Sequence, residues 1–309
     1  MNILILDDYQ KGIPSLESFG LLAGHSVTVL DKPIDSSKAH STALANAEAL
    51  IPLRERTQID NALLARMPLL RCISQTGKIG RHIDTTACEA RGIALLNGAG
   101  TSYATAELAF LMMMAAMRNL VPEVDAMKAS KFGIALGRTL KGRRLGIVGY
   151  GNVGKQVAKF AAAFGMKISV LGREVSVKQA NADGFTGTQD REQFFSSCDA
   201  VSVHLRLTPE TEKQISDADL QCMKAGSVLV NTSRAEVIDQ DALFKTTQRG
   251  RPQVLAVDVY MNEPPTAATD PVLTLPNVLA TPHMGYLDVD SFDFMLRSAI
   301  ENLLAHSKE

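Results

Sequence analysis

Short apolar runs recur along the chain, separated by polar and helically spaced stretches. In the first third they fall at 3–6, 27–30, 49–51, 70–74 and 93–95. Runs this short and apolar suit strands buried on both faces, since a helix needs a longer stretch with a 3.6-residue period. Helical stretches such as 60–66 lie between them, so the alternation predicts a parallel sheet flanked by helices. After a turn-rich segment at 97–102, residues 105–117 are almost continuously apolar, with Met112, Met113, Met114 and Met117 among them. That predicts a helix covered on more than one face. A second alternating series follows at 145–148, 167–171, 200–203, 228–231, 254–257 and 278–280, and a last helix is expected at 292–304. Six strands with helical connections predict a complete doubly wound domain.

Composition narrows the classes of partner. The chain has 309 residues, enough for two domains, and its 32 Lys and Arg balance 33 Asp and Glu without any basic block. Neither nucleic acid nor an anionic membrane is expected as a partner; a small molecule is. No apolar run approaches the roughly 18 residues of a spanning helix, and Asp7 and Asp8 interrupt the N-terminal run too early for a signal peptide. A cytoplasmic protein is expected. Cys72, Cys88, Cys198 and Cys222 are widely spaced without a Cys-x-x-Cys pair, which points to packing thiols rather than disulfides or a metal site.

The strongest motif is Gly149-Tyr150-Gly151-Asn152-Val153-Gly154, which follows an apolar run and opens an amphipathic one. In that setting the first glycine permits a tight turn, the second lets a pyrophosphate approach the backbone, and the third lets helix pack on strand. A bound dinucleotide is therefore expected, its phosphates at the helix start. The fold expectation is α/β: two doubly wound Rossmann-like parallel-sheet domains. The dinucleotide-binding domain, 99–285, is inserted into a discontinuous substrate domain made of 1–98 and 286–309. Hinges are expected near 98–101 and Gly285.

Ligands in an open parallel sheet sit beyond the carboxyl ends of its strands, so polar residues directly after apolar runs carry the chemistry. The run at 228–231 delivers Arg234, the run at 254–257 leads to Glu263, and the run at 278–280 delivers His283. Arginine offers bidentate binding of a carboxylate and polarises a neighbouring carbonyl. Histidine can give a proton to the carbonyl oxygen as hydride arrives, or take one in reverse. A paired glutamate orients the ring and stabilises its protonated form. Each residue alone has a plainer explanation as a surface arginine, a helix-start acid or a satisfied core histidine; together they fit carbonyl reduction.

These motifs, in this order, resemble the D-isomer-specific 2-hydroxyacid dehydrogenase family over nearly the full length. The resemblance rests on Gly149 to Gly154, His204-Leu205-Arg206-Leu207-Thr208-Pro209-Glu210-Thr211, Asn231-Thr232-Ser233-Arg234, Asp258-Val259-Tyr260 with Glu263-Pro264, and Thr281-Pro282-His283-Met284-Gly285. The opening Ile5-Leu6-Asp7-Asp8-Tyr9-Gln10 with Arg54-Glu55-Arg56-Thr57 resembles one branch of it. It implies an oxidoreductase moving a hydride between a nicotinamide cofactor and a small 2-keto or D-2-hydroxy acid, with Arg234, Glu263 and His283 as the catalytic set. It also implies Thr105 and Asp258 near the nicotinamide. Further cofactor contacts are implied at Asn152, Val153, His204, Arg206, Thr232, Ser233 and Gly285. Arg54 and the backbone of Gly77, Lys78 and Ile79 are implied to bind substrate. A homodimer through the nucleotide-binding domains is implied too, and the 105–117 helix is the place to look. Two departures stand out: Ala235 replaces the family's usual glycine after the arginine, and Arg206 replaces a usual proline.

For the cofactor, NAD enzymes of this fold usually end the second strand with an acid that bonds the ribose 2′-hydroxyl. Here that strand is followed by Gly172-Arg173-Glu174. Gly172 cannot repel a 2′-phosphate and Arg173 can bind one, so NADP(H) is expected over NAD(H), unless Glu174 turns inward. His204 also reads as an ordinary strand-end histidine satisfied by nearby backbone. The competing readings are a formate or amino-acid dehydrogenase of the same architecture, and a non-enzymatic NAD(P)-sensing interaction protein on the same scaffold.

Overall fold

A computed structural model describes residues 1–307, which divide into two compact units, residues 1–101 with 287–307, and residues 102–286. The first unit holds a five-stranded parallel sheet of β1 (Asn2–Leu6), β2 (Ser26–Val29), β3 (Ala49–Pro52), β4 (Cys72–Gln75) and β5 (Ala94–Asn97), ordered β2-β1-β3-β4-β5. All residues of β3 and β4 are buried; β3 is apolar throughout, and the buried Ser74 and Gln75 of β4 donate to the Ala299 and Arg54 carbonyls at 2.7 Å each. Its helices α1 (Lys38–Asn46), α2 (Asn61–Ala65) and α3 (Thr85–Ala90) begin on Ser37, Asp60 and Asp84, each accepting a first-turn amide hydrogen. Such caps satisfy donors that the helix itself leaves unpaired and contribute about 1 kcal/mol each. The last helix of the chain, Val289–His306, packs on β3, β4 and β5 in this same unit.

The second unit opens with α4 (Tyr103–Met117) and α5 (Leu120–Lys128). Nine residues of α4 are buried, because the helix is covered by the doubly wound sheet and by the helix Asn152–Ala163. That sheet is formed by β6 (Arg144–Val148), β7 (Lys167–Leu171), β8 (Thr186–Thr188), β9 (Ala200–Val203), β10 (Val228–Asn231), β11 (Val254–Val257) and β12 (Val278–Ala280). Its order is β12-β11-β10-β9-β6-β7-β8, all parallel. The helices are α6 (Asn152–Ala163), α7 (Glu174–Ala182), α8 (Arg191–Ser197), α9 (Asp217–Cys222) and α10 (Gln240–Gln248). The sequence predicts six strands; the seventh is β8, whose Thr-Gly-Thr carries no apolar residue and which is held by main-chain pairing to β7. Nor does the sequence predict α5, whose apolar residues Leu120, Val121, Val124 and Met127 point to solvent.

Burial sets the chemistry of the thiols. All four cysteines are free, and loss of hydration pushes Cys72 up to about 11 and Cys198 up to about 12, so both remain protonated and act as small apolar residues. No single described helix is long and apolar enough to cross a membrane.

Candidate active site

The topological switch point of the second sheet lies between β6 and β9, where the strand order reverses. Gly149 sits there with φ +95, and a Cβ on it would fall 2.6 Å from the His204 carbonyl oxygen at the end of β9. Only glycine fits that crossing. Gly151, at the N-cap of α6, has open space where a Cβ would be, and no side chain caps the helix. Asn152 and Val153 begin α6 and Gly154 packs it down on Gly149. An open backbone surface leading to uncapped amides matches what a dinucleotide pyrophosphate needs. Thr232 Oγ1 is buried on the same sheet edge with no hydrogen-bond partner among the described residues, one more polar atom available to a ligand.

At the end of β7, Gly172 packs tightly under α7: a Cβ there would lie 2.8 Å from Cβ of Ser176. Arg173 is the exposed N-cap residue of α7. Glu174 forms an exposed ion pair with Lys178 at 2.6 Å, one helical turn on, rather than folding back toward Gly172. His204 bonds Ser202 Oγ through Nε2 at 2.9 Å, a side-chain partner where the sequence suggested backbone, and loss of hydration pushes the ring down to about 3. It is neutral at any working pH. Arg206 is exposed just beyond it.

Three neighbouring strands deliver the other polar side chains. At the last position of β10, Asn231 accepts hydrogen bonds from the Ser233 amide at 3.0 Å and hydroxyl at 2.8 Å, and donates to the Arg234 carbonyl at 2.9 Å. This turn projects Arg234, whose Nη1 donates to the Ser233 carbonyl at 2.7 Å. Ala235 begins the following 3-10 turn without a positive φ, so its Cβ is accommodated and the departure from glycine leaves the backbone unstrained. After β11 and β12, Glu263 Oε2 meets His283 Nδ1 at 2.6 Å, both side chains about one-third exposed.

The loop carrying His283 is clamped from several sides. Its own backbone is left-handed, φ +51, a conformation that costs a residue with Cβ of order 1 kcal/mol unless its surroundings impose it. Asp258 Oδ1 accepts from the Thr281 hydroxyl at 2.5 Å and the Met284 amide at 2.8 Å, and Oδ2 from the Gly285 amide at 2.9 Å. Thr105 Oγ1, in the first turn of α4, donates to the Gly285 carbonyl at 2.9 Å. Burial pushes the Asp258 carboxyl above the usual range, against these hydrogen bonds and the nearby His283, which favour its charged form. Asp258 is thus engaged with main chain around His283, a role the sequence did not reveal.

Within the first unit, Arg54 follows β3 with φ +59; its amide donates to Thr76 Oγ1 at 2.8 Å and its carbonyl accepts from Gln75 Nε2 at 2.7 Å. Gly77, φ +116, lies against the Arg54 guanidinium so closely that a Cβ would fall 2.6 Å from Nη1. The Gly77 amide donates to the Gln75 carbonyl and the Ile79 amide to Asn97 Oδ1, both at 2.9 Å, while the Lys78 side chain is exposed. Two of the three amides expected to face a substrate carboxylate are therefore used within the unit.

A glycine turn at a switch point, with an acid–histidine pair at the ends of adjacent strands, belongs to the class of dinucleotide-dependent oxidoreductases. Comparison with known proteins makes the class specific. The family model described as D-isomer specific 2-hydroxyacid dehydrogenase, NAD binding domain, matches residues 110–285. A glyoxylate reductase of Thermococcus litoralis is 34% identical over 264 residues, covering 81% of this chain and 78% of the relative. A hydroxypyruvate reductase of Thermotoga maritima is 32% identical over 240 residues, 76% of this chain and 77% of the relative. Among solved structures, a phosphoglycerate oxidoreductase from Vibrio cholerae superposes with TM-score 0.93 at 41% identity, covering 100% of this chain and 99% of that one. The chain belongs to the D-isomer-specific 2-hydroxyacid dehydrogenase family and is an enzyme acting on CH–OH donors with a nicotinamide cofactor. The non-enzymatic alternative gains no support from these relatives.

Proposed function

We propose that this enzyme interconverts a small 2-keto acid and the corresponding D-2-hydroxy acid, with Arg234, Glu263 and His283 performing the chemistry and NADP(H) preferred over NAD(H). When bound, the dinucleotide supplies the hydride acceptor or donor. The observation that carries the reading is the 2.6 Å contact between Glu263 Oε2 and His283 Nδ1. With Nδ1 committed to the carboxylate, Nε2 is the ring atom left to handle a proton. In reduction, His283 Nε2 gives its proton to the substrate oxygen; in oxidation it receives one. Glu263 holds the ring and offsets the imidazolium charge. The Arg234 guanidinium binds the substrate carboxylate and polarises the adjacent carbonyl. Hydrogen bonds from the Asn231 turn set where that guanidinium starts, and Asp258 with Thr105 fixes the loop that carries His283.

The NADP(H) preference is supported by the side chains after β7. Gly172 places no acid at the ribose position, Arg173 is free of the helix body, and Glu174 is committed to Lys178. Pairing with a second copy is supported by exposed apolar residues on α5 and just after it, where Phe132 and Leu136 are 93% and 97% exposed. The helix where the sequence places the contact, α4, is mostly buried.

A turnover screen with glyoxylate and hydroxypyruvate against NADPH and NADH tests the reading. Cofactor oxidation dependent on a 2-keto acid is expected; no oxidation with any 2-keto acid, alongside tight cofactor binding, would overturn it.

A further inference from the structure

The carbonyl oxygen of Thr281 receives two hydrogen bonds. One comes from the His283 amide at 3.0 Å and closes a three-residue turn around Pro282. The other comes from the hydroxyl of Tyr260 at 2.7 Å. The first bond accompanies the left-handed backbone of His283, a conformation that persists only where neighbours over-determine it. Asp258 secures the far side of the loop through the Met284 and Gly285 amides. Tyr260 secures the near side.

Tyr260 also reaches the other member of the pair. Its amide donates to Glu263 Oε1 at 3.3 Å, the oxygen that His283 does not use. Two residues beyond Asp258 on the same extended segment, Tyr260 therefore orients the carboxylate with its backbone and the histidine turn with its phenol. Tyr260 is 7% exposed and packs in one apolar cluster with Leu229, Leu255 and Val257 of β10 and β11, so its position is fixed by the core. Burial, with the negative charges of Asp258, Asp270 and Glu263 nearby, pushes the hydroxyl far above its ordinary range and keeps it a donor throughout the working pH range.

The geometry points to Tyr260 as a positioning residue for the Glu263–His283 pair: its hydroxyl sets the turn that aims Nε2, and its amide sets the carboxylate that holds Nδ1. The inference rests on the proposed proton-handling role of His283. Proton transfer is sensitive to placement, and a small displacement of a general acid costs roughly ten- to a hundred-fold in rate. Tyr260→Phe deletes one oxygen from a ring that otherwise keeps its packing.

Steady-state kinetics of Tyr260→Phe, Glu263→Gln, the double variant and His283→Asn, with glyoxylate and both reduced cofactors, test it. Tyr260→Phe should lower kcat about tenfold with the cofactor KM within about twofold of wild type, and should add little to Glu263→Gln, since both act through one ring. Replacing Tyr260 with 4-aminophenylalanine, which returns a donor, should recover most of the loss. A kcat within twofold of wild type, losses that multiply in the double variant, or no recovery with the amino analogue would overturn the inference. His283→Asn separates the two levels. If it retains turnover, the proton-handling reading itself fails; if it loses turnover while Tyr260→Phe does not, only the role of Tyr260 fails.

Discussion

Glu263 and His283 lie twenty residues apart and arrive from different strands, yet Oε2 of one meets Nδ1 of the other at 2.6 Å. Adjacent parallel pairing of β11 with β12 produces this meeting, because Val257 and Ala280 are in register and both chains leave the sheet on the same edge. Their contact engages Nδ1 of the ring and leaves Nε2 outside the pair.

Replacing His283 by Asn tests that assignment with little backbone penalty, since Asn tolerates φ near +51 better than most residues do. Turnover should fall by about 10²–10⁴, the usual range for loss of a general acid, while the thermal midpoint changes by only a few degrees. Circular dichroism melts alongside the kinetics check both halves; a variant keeping a tenth of the activity would remove His283 from the mechanism.

Arg234→Lys retains the charge and loses the planar fork. The KM for the keto acid should rise at least about tenfold while the cofactor KM stays within about twofold. An unchanged keto-acid KM would mean that the carboxylate binds elsewhere.

For the cofactor, kcat/KM should be higher with NADPH, and Arg173→Ala should reduce it at least about tenfold with NADPH and little with NADH. Gly172→Asp alone should not create a good NADH enzyme, because the new Cβ would sit 2.8 Å from Cβ of Ser176. Gly172→Asp with Ser176→Gly should turn the preference toward NADH. A wild-type enzyme that favours NADH contradicts this outright.

His204 supplies a pH dependence with a definite sign. Its native form takes a proton only near 3, whereas the unfolded residue takes one near 6.5. Between those values the unfolded state binds more protons, so native stability falls as pH drops below about 6.5 and this group contributes no slope above it. At pH 5 the loss is about 2 kcal/mol from this residue. Urea titrations at pH 7.5 and 5 should show a smaller difference for His204→Gln than for wild type; equal differences would contradict the assignment.

Light scattering should report a homodimer, and Met127→Asp with Phe132→Asp should yield monomers, since these side chains are 64% and 93% exposed. A wild-type monomer would refute the pairing.

Much of the fold was legible because strands of a parallel sheet are written as short, mainly apolar runs; β7, β9, β10, β11 and β12 coincide with theirs, although Lys167, Ser169, Ser202 and Asn231 interrupt or end them. Thr186, Gly187 and Thr188 make a strand through backbone pairing alone, which leaves no mark in side-chain polarity. The residues Arg234, Glu263 and His283 stood out because each follows such a run. The supports around them did not: whether Asp258 faces a ligand or the Met284 amide, and whether the Tyr260 hydroxyl finds the Thr281 carbonyl, depends on loop geometry that spacing does not encode. Nor does spacing show that Ser176 stands over Gly172.

The seven-stranded sheet ends at both borders in strands of three residues, β8 and β12. A border that short presents few unpaired amides and carbonyls to an incoming strand, so the sheet is poorly suited to templating its own extension from molecule to molecule. Fibril-like growth is thereby discouraged at the ribbon edges, and self-recognition is left to helical and loop surfaces.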